Sequence, residues 1–424
     1  SPCLGTLTTS TARQTMLSDW LGCLVVVCER SRRVQATWLQ VPIEARARQF
    51  DLQRHVRELV SSLNVCYHAS NTASTSVVIN KCLHYIGAVV PYPLPLRLLL
   101  GSSIDSAFVQ PTAPSILQVL ESILVPSAST RTEAELETIR YNASLALLIV
   151  IQSALADDEC ASVVIAFINS RDLVRKLLRS MSNAPTAAPG SSAAHPRSVK
   201  VAANCLDILR ELTSYNAALQ SKHLSYRPTP SSASPVSPPS QAHTGIVGSA
   251  AGGASGAVTG HEMIDLDGLF EAGTDNLLAV LSCDLAFSAR LFAYEDALTI
   301  ATALLLAHVQ PLVRVRTPLA YVLVDIVACM LLTLASPTSG TSSNSSASAA
   351  ASSTRPIEEA TLRQLASIPQ YLAQINSIWR SKLIEKGVAG KLQDVAHRYS
   401  AHISSQVKEY CLQVVGGICR RPQQ

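Results

Sequence analysis

The sequence predicts an all-α protein, an extended stack of helix pairs, and three observations carry that expectation. Hydrophobic residues make up 48% of the chain and aromatic residues only 5%, so the apolar content is aliphatic, the kind that helix-on-helix ridges use. Apolar positions recur mostly at three- and four-residue steps, the period of a helix with one buried stripe. Strand signals are few and no strand–helix–strand alternation appears, which argues against a nucleotide-binding α/β fold.

The first block, residues 1–181, opens with an amphipathic helix over Ile43–Cys66. Its stripe is Phe50, Leu52, Val56, Leu59, Val60 and Leu63, and Pro42 suits its start. Ser76-Val-Val-Ile79 has strand character, but Lys81, Cys82, His84 and Tyr85 continue it more naturally as a helix. Thr132 is the expected cap of a long helix reaching Leu155. Glu133, Glu135 and Glu137 sit at the positive end of its dipole. The second half of that helix, from Leu145, is apolar all round and belongs in the middle of a bundle. Asp157 and Asp158 open the next helix, through Ile168. Ser170 and Asp172 open a third, with Leu173, Val174, Leu177 and Leu178 on its inner side. Turns this short place the three side by side.

Three low-complexity segments interrupt the pattern: an Ala/Pro/Ser run over 182–197, a Pro/Ser then Gly/Ala run over 227–260, and a Ser/Ala run over 336–355. Such compositions bury too little apolar surface to offset their ordering entropy, so they read as disordered loops inserted between helices. Between them lie a helical block over 198–226, an apolar block over 261–335 and a C-terminal block of long helices over 356–424. The expected helices are Val199–Ala218, Leu266–Leu281, Glu295–Val309, Pro318–Ala335, Ile357–Lys386 and Val388–Cys419. About fourteen helices without a crisp 34- or 42-residue consensus fit an α-solenoid of degenerate HEAT- or armadillo-like pairs. The chain opens on Ser1 and stops just after a helical stretch, and reads as a segment of a longer protein or an incomplete gene model.

Charged residues are only 15%, and mean hydropathy is +0.23. Either the core is large or partners cover a wide surface. The net charge of +4 is spread along the chain, with Arg30, Arg32 and Arg33 the densest basic cluster; a nucleic-acid interface would show a basic stripe with interleaved aromatics. The eleven cysteines are irregularly spaced in apolar helical contexts, as expected of buried thiols in a reducing compartment. No charged segment followed by an apolar run and a cleavage site opens the chain, so a signal peptide is not expected. The most apolar stretch, Leu319–Ala335, is about 17 residues long, the lower limit for a bilayer span. Asp325 near its centre would cost about 2.5–3.5 kcal/mol on insertion. Two central helices of a bundle explain Leu298–Val313 and Leu319–Ala335 better than a membrane hairpin, and membrane association is expected to be peripheral at most.

No motif for phosphate cradling, nucleophilic catalysis or metal-dependent hydrolysis is present. No catalytic, cofactor or metal residue is assigned, and enzymatic activity is not expected. Cys66-Tyr-His68 and Cys82-Leu-His84 could supply four zinc ligands, but residues two apart on a helix point to different sides, and zinc modules favour wider spacings. Cys23 and Cys28 lack the two-residue spacing of a redox pair. His261-Glu262 ahead of Ile264-Asp265-Leu266-Asp267 reads more simply as a loop entering a helix cap than as a metal site. Asn142-Ala-Ser144 and Asn344-Ser-Ser346 match the glycosylation triplet, the first inside a helix and the second in a linker. Thr229, Ser234 and Ser237, each followed by Pro, are candidate phosphorylation sites in the second loop. A phosphate there would add about −1.5 to −2 charges.

Leu277–Leu334 contains Leu304-Leu-Leu-Ala-His308 and then Val315-Arg-Thr-Pro-Leu-Ala-Tyr321. Further on, Lys391-Leu-Gln-Asp-Val395 is followed by Glu409-Tyr-Cys-Leu-Gln-Val-Val-Gly-Gly-Ile-Cys419. This order resembles the large inner-ring nucleoporins, over about a third of the chain. The resemblance implies a structural component of the nuclear pore at the nuclear envelope, binding other scaffold nucleoporins that dock short helical or linear segments into its grooves. The serine-rich insertions depart from the compact loops of that family. Two further readings of the same sequence are a helical-repeat transport receptor or trafficking adaptor in the cytoplasm, and a polytopic membrane protein.

Overall fold

The computed structural model describes residues 46–68, 73–91, 93–100, 114–125, 131–182, 198–225, 263–269, 276–315, 317–336, 357–375 and 377–420. Among them every regular element is helical, with no strand and sixteen α-helices. The first eight are α1 (Arg46–His68), α2 (Ala73–Val89), α3 (Pro93–Leu100), α4 (Ile116–Leu124), α5 (Glu133–Leu155), α6 (Asp158–Arg171), α7 (Leu173–Ser182) and α8 (Val199–Ser225). A 3-10 turn at Asp267–Leu269 follows. Then come α9 (Leu277–Ser282), α10 (Leu285–Phe292), α11 (Ala297–Val315), α12 (Thr317–Ala335), α13 (Glu359–Ile375), α14 (Ser377–Glu385), α15 (Val388–Arg398) and α16 (Ser405–Cys419). The 227–260 segment and most of 182–197 and 336–355 lie outside the described residues, as do Pro42, Cys3, Cys23, Cys28, the Arg30–Arg33 cluster, His261 and Glu262. So do Asn344 and the candidate phosphosites Thr229, Ser234 and Ser237.

Helices begin where local chemistry provides a cap. Ser115 and Gln118 form a reciprocal capping box on α4. On α5, the Glu135 carboxylate accepts from the Thr132 hydroxyl (2.7 Å) and its backbone N–H (3.1 Å). Asp157 caps α6 by accepting from the amides of Glu159 and Cys160. The same carboxylate pairs with Arg97 of α3 at 2.9 Å, and that bond holds the Asp157 carboxyl below its ordinary pKa. Ser170 remains inside α6. Asp172, in the left-handed region at φ 52°, separates α6 from α7.

Two expected helices are broken. In place of Ile357–Lys386 stand α13, ending at Ile375, and α14, running from Ser377 to Glu385. Val388–Cys419 divides into α15 and α16 at the Tyr399–Ser404 turn, where Ser404 starts α16 by accepting from the Val407 amide. The C-terminal block is therefore four short helices. Before α15 the chain reverses at Gly387, φ 64°, a conformation that costs a residue with a Cβ. The Leu266–Leu281 helix also fails at its start: Met263–Leu266 is not helical and a single 3-10 turn follows, while α9 begins only at Leu277, capped by the Asn276 side chain. The Ser76–Ile79 stretch lies inside α2.

Packing follows two lines through the chain. α2, α5, α8, α11, α13 and α16 touch one another in that order, and α1, α4, α7, α9, α12 and α15 do the same. Cross-contacts such as α1 with α2, α4 with α5, α7 with α8 and α15 with α16 join the two lines. The stripe of α1 is buried at Val56, Leu59, Val60 and Leu63. α5, apolar all round in its second half, is covered by α2, α4, α6 and α8, with Ala143, Leu147, Val150 and Ile151 inaccessible.

Candidate interaction surface

In the N-terminal half, side chains that join neighbouring helices recur at offsets of 55 to 62 residues, whereas links in the C-terminal helices, such as Tyr410 to Gln370, span 40 to 45. Asn142 on α5 donates to Asn80 on α2 across 62 residues, at 2.8 Å. Asn204 on α8, the same distance further along, donates to Ser144 on α5 at 2.9 Å. Thr299 on α11 meets Thr361 on α13 across 62 residues. Arg97 meets Asp157 across 60, and Lys176 on α7 pairs with the buried Glu121 on α4 across 55. An unpaired buried amide is costly, so each rung fixes the register of one helix on the next. The Asn142 amide is only 8% exposed, so its glycosylation triplet is a structural rung.

The apolar helices singled out in the sequence find ample cover inside the chain. α12 buries Leu323, Val324, Ile326, Val327, Met330 and Leu331. Asp325 leaves that apolar face to pair with Lys386 at 2.6 Å, which raises the lysine pKa. Among the described residues one unbroken helix, Glu133–Leu155, has the length and hydropathy to cross a bilayer, with 56% of its apolar window buried inside the protein, and the bent pair Leu285–Phe292 and Ala297–Gln310 meets the same measure only when taken together.

Single aliphatic side chains remain exposed on α12, α13 and α14. Ile378 (57%) and Ile384 (52%) stand out from α14, Leu332 (52%) from α12, and Ile375 from the end of α13. On α14 the buried residues are Trp379 and Leu383, so this short helix is apolar both inward and outward. Nothing in the local sequence of α14 separates inner from outer aliphatics, because its periodicity is weak.

Of the two Cys-x-His pairs, Cys66 and Cys82 are buried while His68 and His84 are exposed. Among the described residues no group of three or more His, Cys, Asp or Glu could hold a metal. Six described cysteines are buried and free. Burial raises the thiol pKa of Cys66, Cys82 and Cys329, and pushes Cys205 up to about 12 and Cys160 and Cys411 up to about 11. Thiolate is the reactive form, so brief maleimide labelling of the native protein at pH 7 should modify the exposed Cys283 and Cys419 and spare these six. Peptide mass spectrometry checks it; comparable labelling of Cys82 or Cys205 would contradict the packing described here.

Residues 304–308 and 391–395, which carry the family resemblance, lie on α11 and α15, with Leu304, Leu305, Leu392 and Val395 buried. The Arg-Thr-Pro-Leu segment enters α12, and its side chains fall outside the described residues. No family model and no curated protein sequence matches the chain.

Proposed function

We propose that this chain is a non-enzymatic protein-interaction scaffold, an α-solenoid whose most specific form is a structural component of the nuclear pore inner ring. The observation that carries the scaffold reading is the pair of helix lines in which successive helices are linked by polar rungs, those of the N-terminal half at offsets of 55 to 62 residues. In a solenoid each repeat contacts mainly its neighbours, so links recur at the repeat length. In the N-terminal half that unit is three helices, one long and two short: α2–α3–α4, then α5–α6–α7. The exposed Ile378 and Ile384 of α14 are aliphatic side chains that helical or linear segments of other proteins would cover. The nuclear-pore form rests on the sequence resemblance alone.

The test is localisation of the tagged parent protein in its own cells, with proximity labelling. A punctate nuclear rim with labelled scaffold nucleoporins is the expected result. A diffuse or vesicular pattern without pore proteins would overturn the nuclear-pore form and leave a helical-repeat adaptor.

A further inference from the structure

Between α8 and α9 a short segment, Met263–Leu269, lies in the groove formed by α6, α7 and α8. Two asparagines hold its backbone. Asn216 of α8 donates to the Ile264 carbonyl at 2.8 Å and accepts from the Ile264 N–H at 3.0 Å. Asn169 of α6 donates to the Met263 carbonyl at 3.1 Å and accepts from the Asp265 N–H at 2.9 Å. In an extended chain, the N–H and C=O of one residue face one edge, and the preceding C=O and following N–H face the other. The two bond pairs follow that alternation. A carboxamide carries one donor side and one acceptor side, so each asparagine stands in for one rung of a neighbouring strand. The segment is read on both edges by helices lying 48 to 96 residues away in sequence, without a strand beside it.

Side chains add a simple selection. Ile264 is 3% exposed and Leu269 is fully buried, while Met263 and Asp265 face outward. At Gly268 a Cβ would stand 3.3 Å from Cγ of Arg175 and 3.8 Å from Cγ1 of Val174 on α7, so the crossing favours glycine. Backbone bonds supply affinity that is indifferent to sequence, and the two aliphatic anchors supply the choice of ligand, as when an extended peptide adds to a sheet edge.

We propose that the α6–α7–α8 groove is a binding site for extended peptides, and that Met263–Leu269 is its resident ligand, held in cis. A peptide that takes its place has an aliphatic residue, three intervening residues, then Gly and a second aliphatic residue. Because the resident segment is tethered, its effective concentration keeps the groove filled until it is displaced. Nothing in this site depends on where in the cell the protein resides.

The test uses a fluorescent synthetic peptide of residues 261–270 and two forms of the full chain: intact, and with 263–269 replaced by a Gly/Ser run of equal length. The replaced chain should bind the peptide saturably at 1:1, and the intact chain at least tenfold more weakly. Asn216→Ala in the replaced chain, or Ile264→Asp in the peptide, should each weaken binding at least tenfold. No binding to a replaced chain with full helical circular dichroism, or binding indifferent to Asn216, would overturn the site. Should the replaced chain lose its helical signal, hydrogen exchange on the intact chain carrying Asn169→Ala and Asn216→Ala decides instead. Loss of protection confined to the Ile264 and Asp265 amides supports a separable ligand. Concerted loss through α6 and α8 makes the segment part of the core and overturns the proposal.

Discussion

Trp379→Ala should lower the stability of the C-terminal helices by about 3–5 kcal/mol, the range for removing a large aromatic from a packed core. The indole is 2% exposed on a helix of nine residues, and its ring lies 4.8 Å from that of Tyr321 on α12, tilted 33°. α14 also touches α13, α15 and α16, so this one side chain fills the space where several helices meet. Alanine leaves a cavity that those helices cannot close without moving apart. Hydrogen exchange should show α13 through α16 losing protection while α5 and α6 keep theirs, because in a stack of helices a lesion is felt mainly by its neighbours. Ile384→Ala on the same helix should cost under about 0.5 kcal/mol, since Ile384 is exposed. Equal effects of the two substitutions would refute this account of α14.

Arg131→Met should destabilise the docking of α1 by about 2–3 kcal/mol. Arg131 is buried just before α5, and its guanidinium donates to the carbonyls of Cys66 (2.7 Å) and Tyr67 (2.8 Å) at the C-terminal end of α1. Those carbonyls are among the four that no helix can satisfy internally, and a cation there also complements the helix dipole. The guanidinium further lies 5.5 Å from the Tyr67 ring centroid. Methionine keeps much of the bulk and removes every donor. Arg131→Lys should recover only part of the loss, because a compact ammonium lacks the fork that spans two carbonyls. The readout is amide exchange in the last turns of α1, with α13 as an internal control. Protection of α1 left intact by Arg131→Met would show that the apolar stripe alone holds this helix.

Much of the helical content was legible because its signals are local. Thr132 with Glu135 and Asp157 with the Glu159 and Cys160 amides close within one turn, and the stripe of α1 repeats within two turns. Breaks were harder to read. Ile357–Lys386 and Val388–Cys419 look continuous by composition, and the turn before α16 depends on Ser404, which an exposed Glu359 carboxylate from α13 also holds through its amide and hydroxyl. The Asn80–Asn142–Asn204 spacing was present in the sequence all along. A search at 34 or 42 residues passes over it, because the unit over α2–α7 is three helices and about 60 residues.

By itself, then, the sequence determined an all-helical protein rich in aliphatic packing surface, with the start of α5 and the cap of α6 set by side chains one turn away. The tertiary structure alone decided which helices touch and which aliphatics of α14 stay outside. It also decided that Arg131 closes α1 and that Asn169 and Asn216 grip Met263–Asp265. The reason is one of range: helix and cap energies act within about one turn, whereas these contacts join residues 48 to 96 positions apart.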